Sequence, residues 1–158
     1  MPWTVWDEVA KWEHDIRTQI KGFECDSCKK PRCCYQLVLT APWEAEEIAT
    51  FLKGKGRVDP ALRAELTRVG QAQLVAGRQA WWARHKACIF LQGRRCSIYD
   101  VRPMSCRVVL AVKCLDGSLM KAVSTEELYH HLESSSGQLV EEWGLEPLPM
   151  AVNKALGD

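Results

Sequence analysis

Eight cysteines in a chain of 158 residues constrain its fold more than any other feature. Four fall within CDSCKKPRCC (25–34), two bracket the start and near-end of CSIYDVRPMSCR (96–107), and Cys88 and Cys114 complete the set. A thiolate is a soft, charged ligand, and several held together are unfavourable unless a cation neutralises them. Distant segments this rich in thiols are therefore expected to fold onto one shared inorganic centre. The competing reading pairs the eight cysteines into four disulfides, as an exported chain of this size would do.

Compartment decides between the two. The opening MPWTVWDEVAKWEHDIRTQI alternates charged and apolar side chains and lacks the uninterrupted apolar centre of a secretory signal. No apolar run reaches the roughly 20 residues that span a bilayer. A cytoplasmic location is expected, where thiols stay reduced and metal ligation or redox chemistry gains over disulfides. Net charge is +1, with 21 basic against 20 acidic residues, which supplies no basic excess for attraction to nucleic acid or anionic membrane. At 47% hydrophobic and 26% charged, the composition is that of an ordinary globular chain, and its length suits a single domain over 1–158. The seven tryptophans are scattered and speak first for packing.

Apolar residues at Val5, Val9, Trp12, Ile16 and Ile20 predict a helix over 3–21, stopped by Gly22. After the first cysteine stretch, YQLVLT (35–40) reads as a strand. Pro42 suits the first turn of a helix that carries Ile48, Phe51 and Leu52 inward and ends at GKG (54–56). Asp59-Pro60 predicts a cap and start for a long helix to about residue 85, weakened at Gly70 and Gly77. CIFLQGRRCSIY (88–99) reads as a small hairpin, RPMSCRVV as one or two helical turns, VLAVKC as a strand and LDGS as a turn. Ser124 and Glu127 have capping-box spacing for a helix from Thr125, SSSG (134–137) reads as a break, and LEPLPM as a loop before a short terminal helix. The expected fold is mainly α with a few short strands, a small α+β architecture stitched by a cysteine-ligated metal centre.

Cys25-x-x-Cys28 is the spacing with which one turn brings two sulfurs to one ion. Cys33 and Cys34 are adjacent, so their side chains diverge; they face different metal atoms, or one is a ligand and the other is packed. From Cys88 through Cys96 and Cys106 to Cys114 the gaps hold 7, 9 and 7 residues, which excludes the second knuckle of an ordinary zinc ribbon. An iron-sulfur cluster or two neighbouring zinc ions accounts for both number and dispersion. Lys29, Lys30, Arg32, Arg94, Arg95, Arg102, Arg107 and Lys113 are candidate counter-charges for the thiolates, with solvated surface roles as the plain alternative. Pro103 biases Arg102 toward extended backbone, so the turn returns Cys106 toward Cys96, with Arg102 and Arg107 as flanking cations. Ile98 and Tyr99 are expected to pack beneath the site.

Cys25-x2-Cys28-x4-Cys33-Cys34, followed by CIFL and then CSIYDVRPMSCR, resembles the YkgJ-type cysteine-cluster proteins, known for a zinc- or iron-chelating CxxCxxCC domain. The resemblance runs from residue 25 to about 114. It implies eight cysteines around a metal site, with no settled activity for most members. A similar domain in flagellin lysine methylases goes with an iron-sulfur cluster. Carried over by position, it implies Cys25, Cys28, Cys34, Cys96 and Cys106 as ligands, joined by Cys33 and Cys88. Cys114 sits at its edge, either completing the set or packing in the core. This chain has four residues rather than two between Cys28 and Cys33.

His85 precedes Cys88 by three residues; it is either a ligand or a helix-end histidine beside the negative C-terminal dipole. His14, His130 and His131 have no partner cysteines. The carboxylates of EAEEI (44–48) and EELYHHLE (126–133) read as solvated helix faces, and Trp81-Trp82 beside ARHK as helix packing rather than a partner contact. No phosphate loop, nucleophile elbow or H-E-x-x-H is present, and no acid–base set accompanies the cysteines. Three functions fit: a metal-binding protein with a structural or storage centre and protein partners, an iron-sulfur redox protein, and a metal-dependent group-transfer enzyme.

Overall fold

The computed structural model describes residues 32–93, 95–103, 106 and 144–157. Its first regular element is a 3-10 turn, Arg32–Tyr35, followed by strand β1, Leu39–Thr40. The strand is much shorter than the apolar run 35–40 suggested. Its antiparallel partner is β4, Glu146–Pro147, in the register Leu39↔Pro147 and Thr40↔Glu146. Beyond Pro147 the Leu148 N–H still donates to the Val38 carbonyl at 2.8 Å, and the pairing ends because the chain turns helical at Leu148.

Helix α1 spans Pro42–Gly54, with proline at its first position as expected. Ala41 caps it with backbone only, and the Glu44 carboxylate reaches back to accept from the Ala41 N–H at 3.0 Å. Glu44 is thereby fully buried, a correction to its reading as part of a solvated face; Glu46 and Glu47 do face solvent. A carboxylate beside the positive helix N-terminus gains from the dipole as well as from the hydrogen bond. Ile48 and Leu52 are fully buried and Phe51 half-buried. The helix ends in a Schellman pattern: Gly56, at φ +63°, donates to Lys53, and Arg57 donates to the carbonyl of Leu52 at 3.0 Å.

Helix α2 runs Pro60–Ala83, capped by Asp59, whose Oδ1 accepts from the Leu62 N–H at 2.8 Å. Gly77, at φ +77° and ψ 176°, leaves helical geometry and divides α2 into two stretches. Gly70 is needed for a different reason: a Cβ there would meet the backbone nitrogen of Met150 at 3.1 Å. The last helix, α3 (Leu148–Leu156), lies there, packed on both α1 and α2. Short as expected, it starts at once after β4, so LEPLPM holds strand and helix start rather than loop. The α2–α3 seam is rimmed by Arg63, whose Nε donates to Asn153 Oδ1 at 2.7 Å, while Asn153 Nδ2 donates to Thr67 Oγ1 at 3.1 Å.

The core holds Val38, Ala45, Ile48, Leu52, Leu66, Leu148 and Val152, with Phe90 and Ile98 inserted from the cysteine-bearing segment. Burying each large aliphatic side chain contributes about 1.5–3 kcal/mol. The expected hairpin is present as β2 (Leu91–Gln92) and β3 (Arg95–Cys96), paired Leu91↔Cys96 and Gln92↔Arg95. Gly93 turns it at φ +64°. The architecture is mainly helical with a few short strands. No helix of the described residues is long and apolar enough to cross a membrane. The elements expected at 3–21 and across 107–143 lie outside the described residues.

Candidate metal centre

Of the eight expected ligands, Cys34, Cys88, Cys96 and Cys106 are described in full, each half-buried and outside any disulfide. Cys33 lies in the 3-10 turn, its side chain outside what the structure describes; Cys25, Cys28, Cys114 and Arg107 lie outside the described residues. Cys88, Cys96 and Cys106 pack against the same core cluster. The first cysteine stretch joins them through the backbone, for the Cys88 N–H donates to the carbonyl of Cys34. Segments over fifty residues apart in sequence thus meet in one layer. Among the described residues, no three His, Cys, Asp or Glu side chains are grouped as a metal site.

Local folding explains where the second-half cysteines sit. Cys88 precedes β2, where its carbonyl accepts from Leu91 N–H at 2.9 Å and its sulfur from Phe90 N–H at 3.5 Å. Cys96 stands in β3 opposite Leu91, and Ser97 N–H donates to the Phe90 carbonyl at 2.7 Å. Phe90 and Ile98, each 1% exposed, act as apolar pins on either side of the hairpin. The Cys88 thiol is pushed up to about 12, chiefly by burial and in lesser part by the neighbouring Cys96, with the N–H groups of Phe90 and Leu91 acting in the opposite direction. Such a shift favours the neutral thiol, so a cation bound at Cys88 would have to displace its proton.

Beyond Ile98 the chain makes a 3-10 turn, Tyr99–Val101. Arg102 follows at φ −54° and ψ 144°, the extended geometry that Pro103 requires of it. The chain then folds back, with Cys106 N–H donating to the Pro103 carbonyl at 2.9 Å. Arg102 is 4% exposed; its Nε donates to the Tyr99 carbonyl at 2.9 Å and its guanidinium lies 3.8 Å from the centre of the Tyr99 ring. Arg95 approaches the same ring at 6.0 Å. Ile98 is buried in the core cluster, while half-buried Tyr99 lies against the two cations.

His85 is exposed, follows the end of α2 in left-handed backbone at φ +50°, and stacks at a tilt 5.8 Å from Trp82. That is the helix-end position, and no described cysteine joins it. Trp81 is buried while Trp82 is 41% exposed, so the pair divides between packing and surface. Sequence reasoning missed Arg57: its Nη1 donates to the Ser97 carbonyl at 2.9 Å and its Nη2 to Ser97 Oγ at 2.8 Å. The one available signal was its place just after the GKG helix stop.

The described donors of this segment are sulfurs, which suit a soft cation better than a hard, oxygen-seeking one. No curated protein and no solved structure matches the chain. The family model described as "CxxCxxCC: Putative zinc- or iron-chelating domain" matches residues 24–135, a span that takes in all eight cysteines. The chain belongs to this CxxCxxCC family, with which the YkgJ-type resemblance agrees.

Proposed function

We propose that this protein holds iron, as an iron-sulfur cluster, or zinc through thiolates drawn from both cysteine stretches, in a structural, redox or partner-binding role within the cytoplasm. The observation that carries this reading is the placement of Cys88, Cys96 and Cys106 against one core cluster, with Cys34 tied by its backbone to Cys88. Cys25, Cys28, Cys33 and Cys114 complete the donor set, and Arg102 and Arg107 offset its negative charge. The metal supplies a positive charge that makes clustered thiolates stable and links segments distant in sequence. Cys88 would bind it as the thiolate, releasing its proton to solvent, and the hairpin pins hold Cys88 and Cys96 in place. One domain over 1–158 is organised around the centre.

Anaerobic purification with metal analysis and a visible spectrum tests the reading. Tightly bound stoichiometric iron or zinc is expected. A brown protein with a broad band near about 400 nm identifies a thiolate-held iron-sulfur centre; a colourless protein with stoichiometric zinc identifies a zinc site. A folded, metal-free protein with its eight cysteines paired in four disulfides overturns the proposal.

A further inference from the structure

We infer that Arg57 is a positioning residue for the metal centre, acting on Cys96 through Ser97. The inference rests on the reading of Cys96 as a ligand. Arg57 is fixed at both ends. Its backbone N–H closes the Schellman pattern on the carbonyl of Leu52, a residue with no exposed surface, and Gly56 at φ +63° makes that closure possible. Its guanidinium fork takes both acceptors of Ser97, the carbonyl at 2.9 Å and Oγ at 2.8 Å, across 40 residues of sequence. With Ser97 N–H held by Phe90 at 2.7 Å, every polar group of Ser97 has a partner.

Cys96 immediately precedes this fully tied residue. Its own strand pairing is only two residues long, which fixes a side chain poorly. The fork adds a constraint by referring the backbone beside the sulfur to the end of a core helix. A planar guanidinium does this with two parallel bonds; an ammonium has no such fork. Arg57 touches no metal in this role, and it sets the direction from which the Cys96 sulfur approaches one.

The test uses the full chain with the metal it carries when purified anaerobically, in wild-type, Arg57→Gln, Arg57→Lys and Ser97→Ala forms. Two quantities are read in the folded state: the rate of metal release to excess EDTA, and the thiolate-to-metal charge-transfer bands, with cobalt(II) substituted where the native metal is zinc. Arg57→Gln should release metal about 10–100-fold faster, the range for residues that orient a ligand, and should shift the bands. Arg57→Lys should not rescue either, and Ser97→Ala, which keeps the carbonyl bond, should fall between. A purely structural role lowers thermal stability and leaves the bands unmoved. Wild-type bands and release rates in Arg57→Gln, or in both milder variants if it does not fold, overturn the inference alone. A wild-type protein without metal overturns it together with the metal reading.

Discussion

The three helices and the cysteine-bearing hairpin are held by different physics. Along α1, α2 and α3 the contact is apolar, through Ile48, Leu52, Leu66 and Val152, all with no exposed surface, and each helix is capped or closed by its own residues. The hairpin has two residues per strand, two apolar pins and one arginine fork. A two-stranded ribbon of that size is marginal by itself. The contrast teaches where the proposed metal would contribute most: the helices are held by burial, whereas the short ladder of the cysteine segment leaves room for a cross-link to add stability.

The sharpest way to break this comparison is to remove one ligand. Metal binding contributes roughly 10 kcal/mol or more to folding in small zinc peptides, comparable to the whole stability of a domain. Cys106→Ser, nearly isosteric, should lose most of its metal and expose residues 25–34 and the hairpin to protease, with helical circular dichroism largely kept. Cys114→Ser should be milder. Full metal content and a protected loop in Cys106→Ser would end the shared-centre account. On the other side, Leu52→Ala opens a cavity in the helical core and should cost about 2–5 kcal/mol by urea titration, with unchanged metal per folded molecule.

Two smaller changes sharpen the picture of the helices. Gly70→Ala puts a methyl 3.1 Å from the Met150 nitrogen. Overpacking of about 1–3 kcal/mol opposes a helix-propensity gain of about 1 kcal/mol, so a modest net loss in thermal stability is expected. A gain instead would mean that α3 can retreat from α2. Asp59→Ala removes the cap on Leu62 and should cost about 1 kcal/mol, read from the urea midpoint, with metal content untouched.

Much of the helical layer was legible because its signals are local. Pro42, Asp59-Pro60 and the Gly-rich stop at 54–56 each act through the dihedral or hydrogen bond of a neighbour, and each marks its boundary. The hairpin was legible for the same reason, through its Gly93 turn. The extent of β1 was not, because it depends on Pro147, a partner more than a hundred residues away. Glu44 was misread because a carboxylate in a polar run looks solvated until the buried Ala41 N–H that it serves is known. At the site, the cysteine spacings marked candidate donors, but Arg57 was invisible: an arginine after a helix stop carries no mark of the serine it will reach.

Strand β1 finds its partner only at Glu146–Pro147, and α1 and α2 find their shared face only at Leu148–Leu156. Both closures are non-local, and non-local closure is slow. A growing chain therefore exposes the apolar faces of Ile48, Leu52 and Leu66 until its last helix emerges. At a synthesis rate of about 5–20 residues per second, the interval between Cys114 and Leu156 lasts about 2–8 s. Every cysteine of the chain has been made before that interval starts. A metal captured during it would meet an open core, with the candidate ligands in place before α3 closes on α1 and α2.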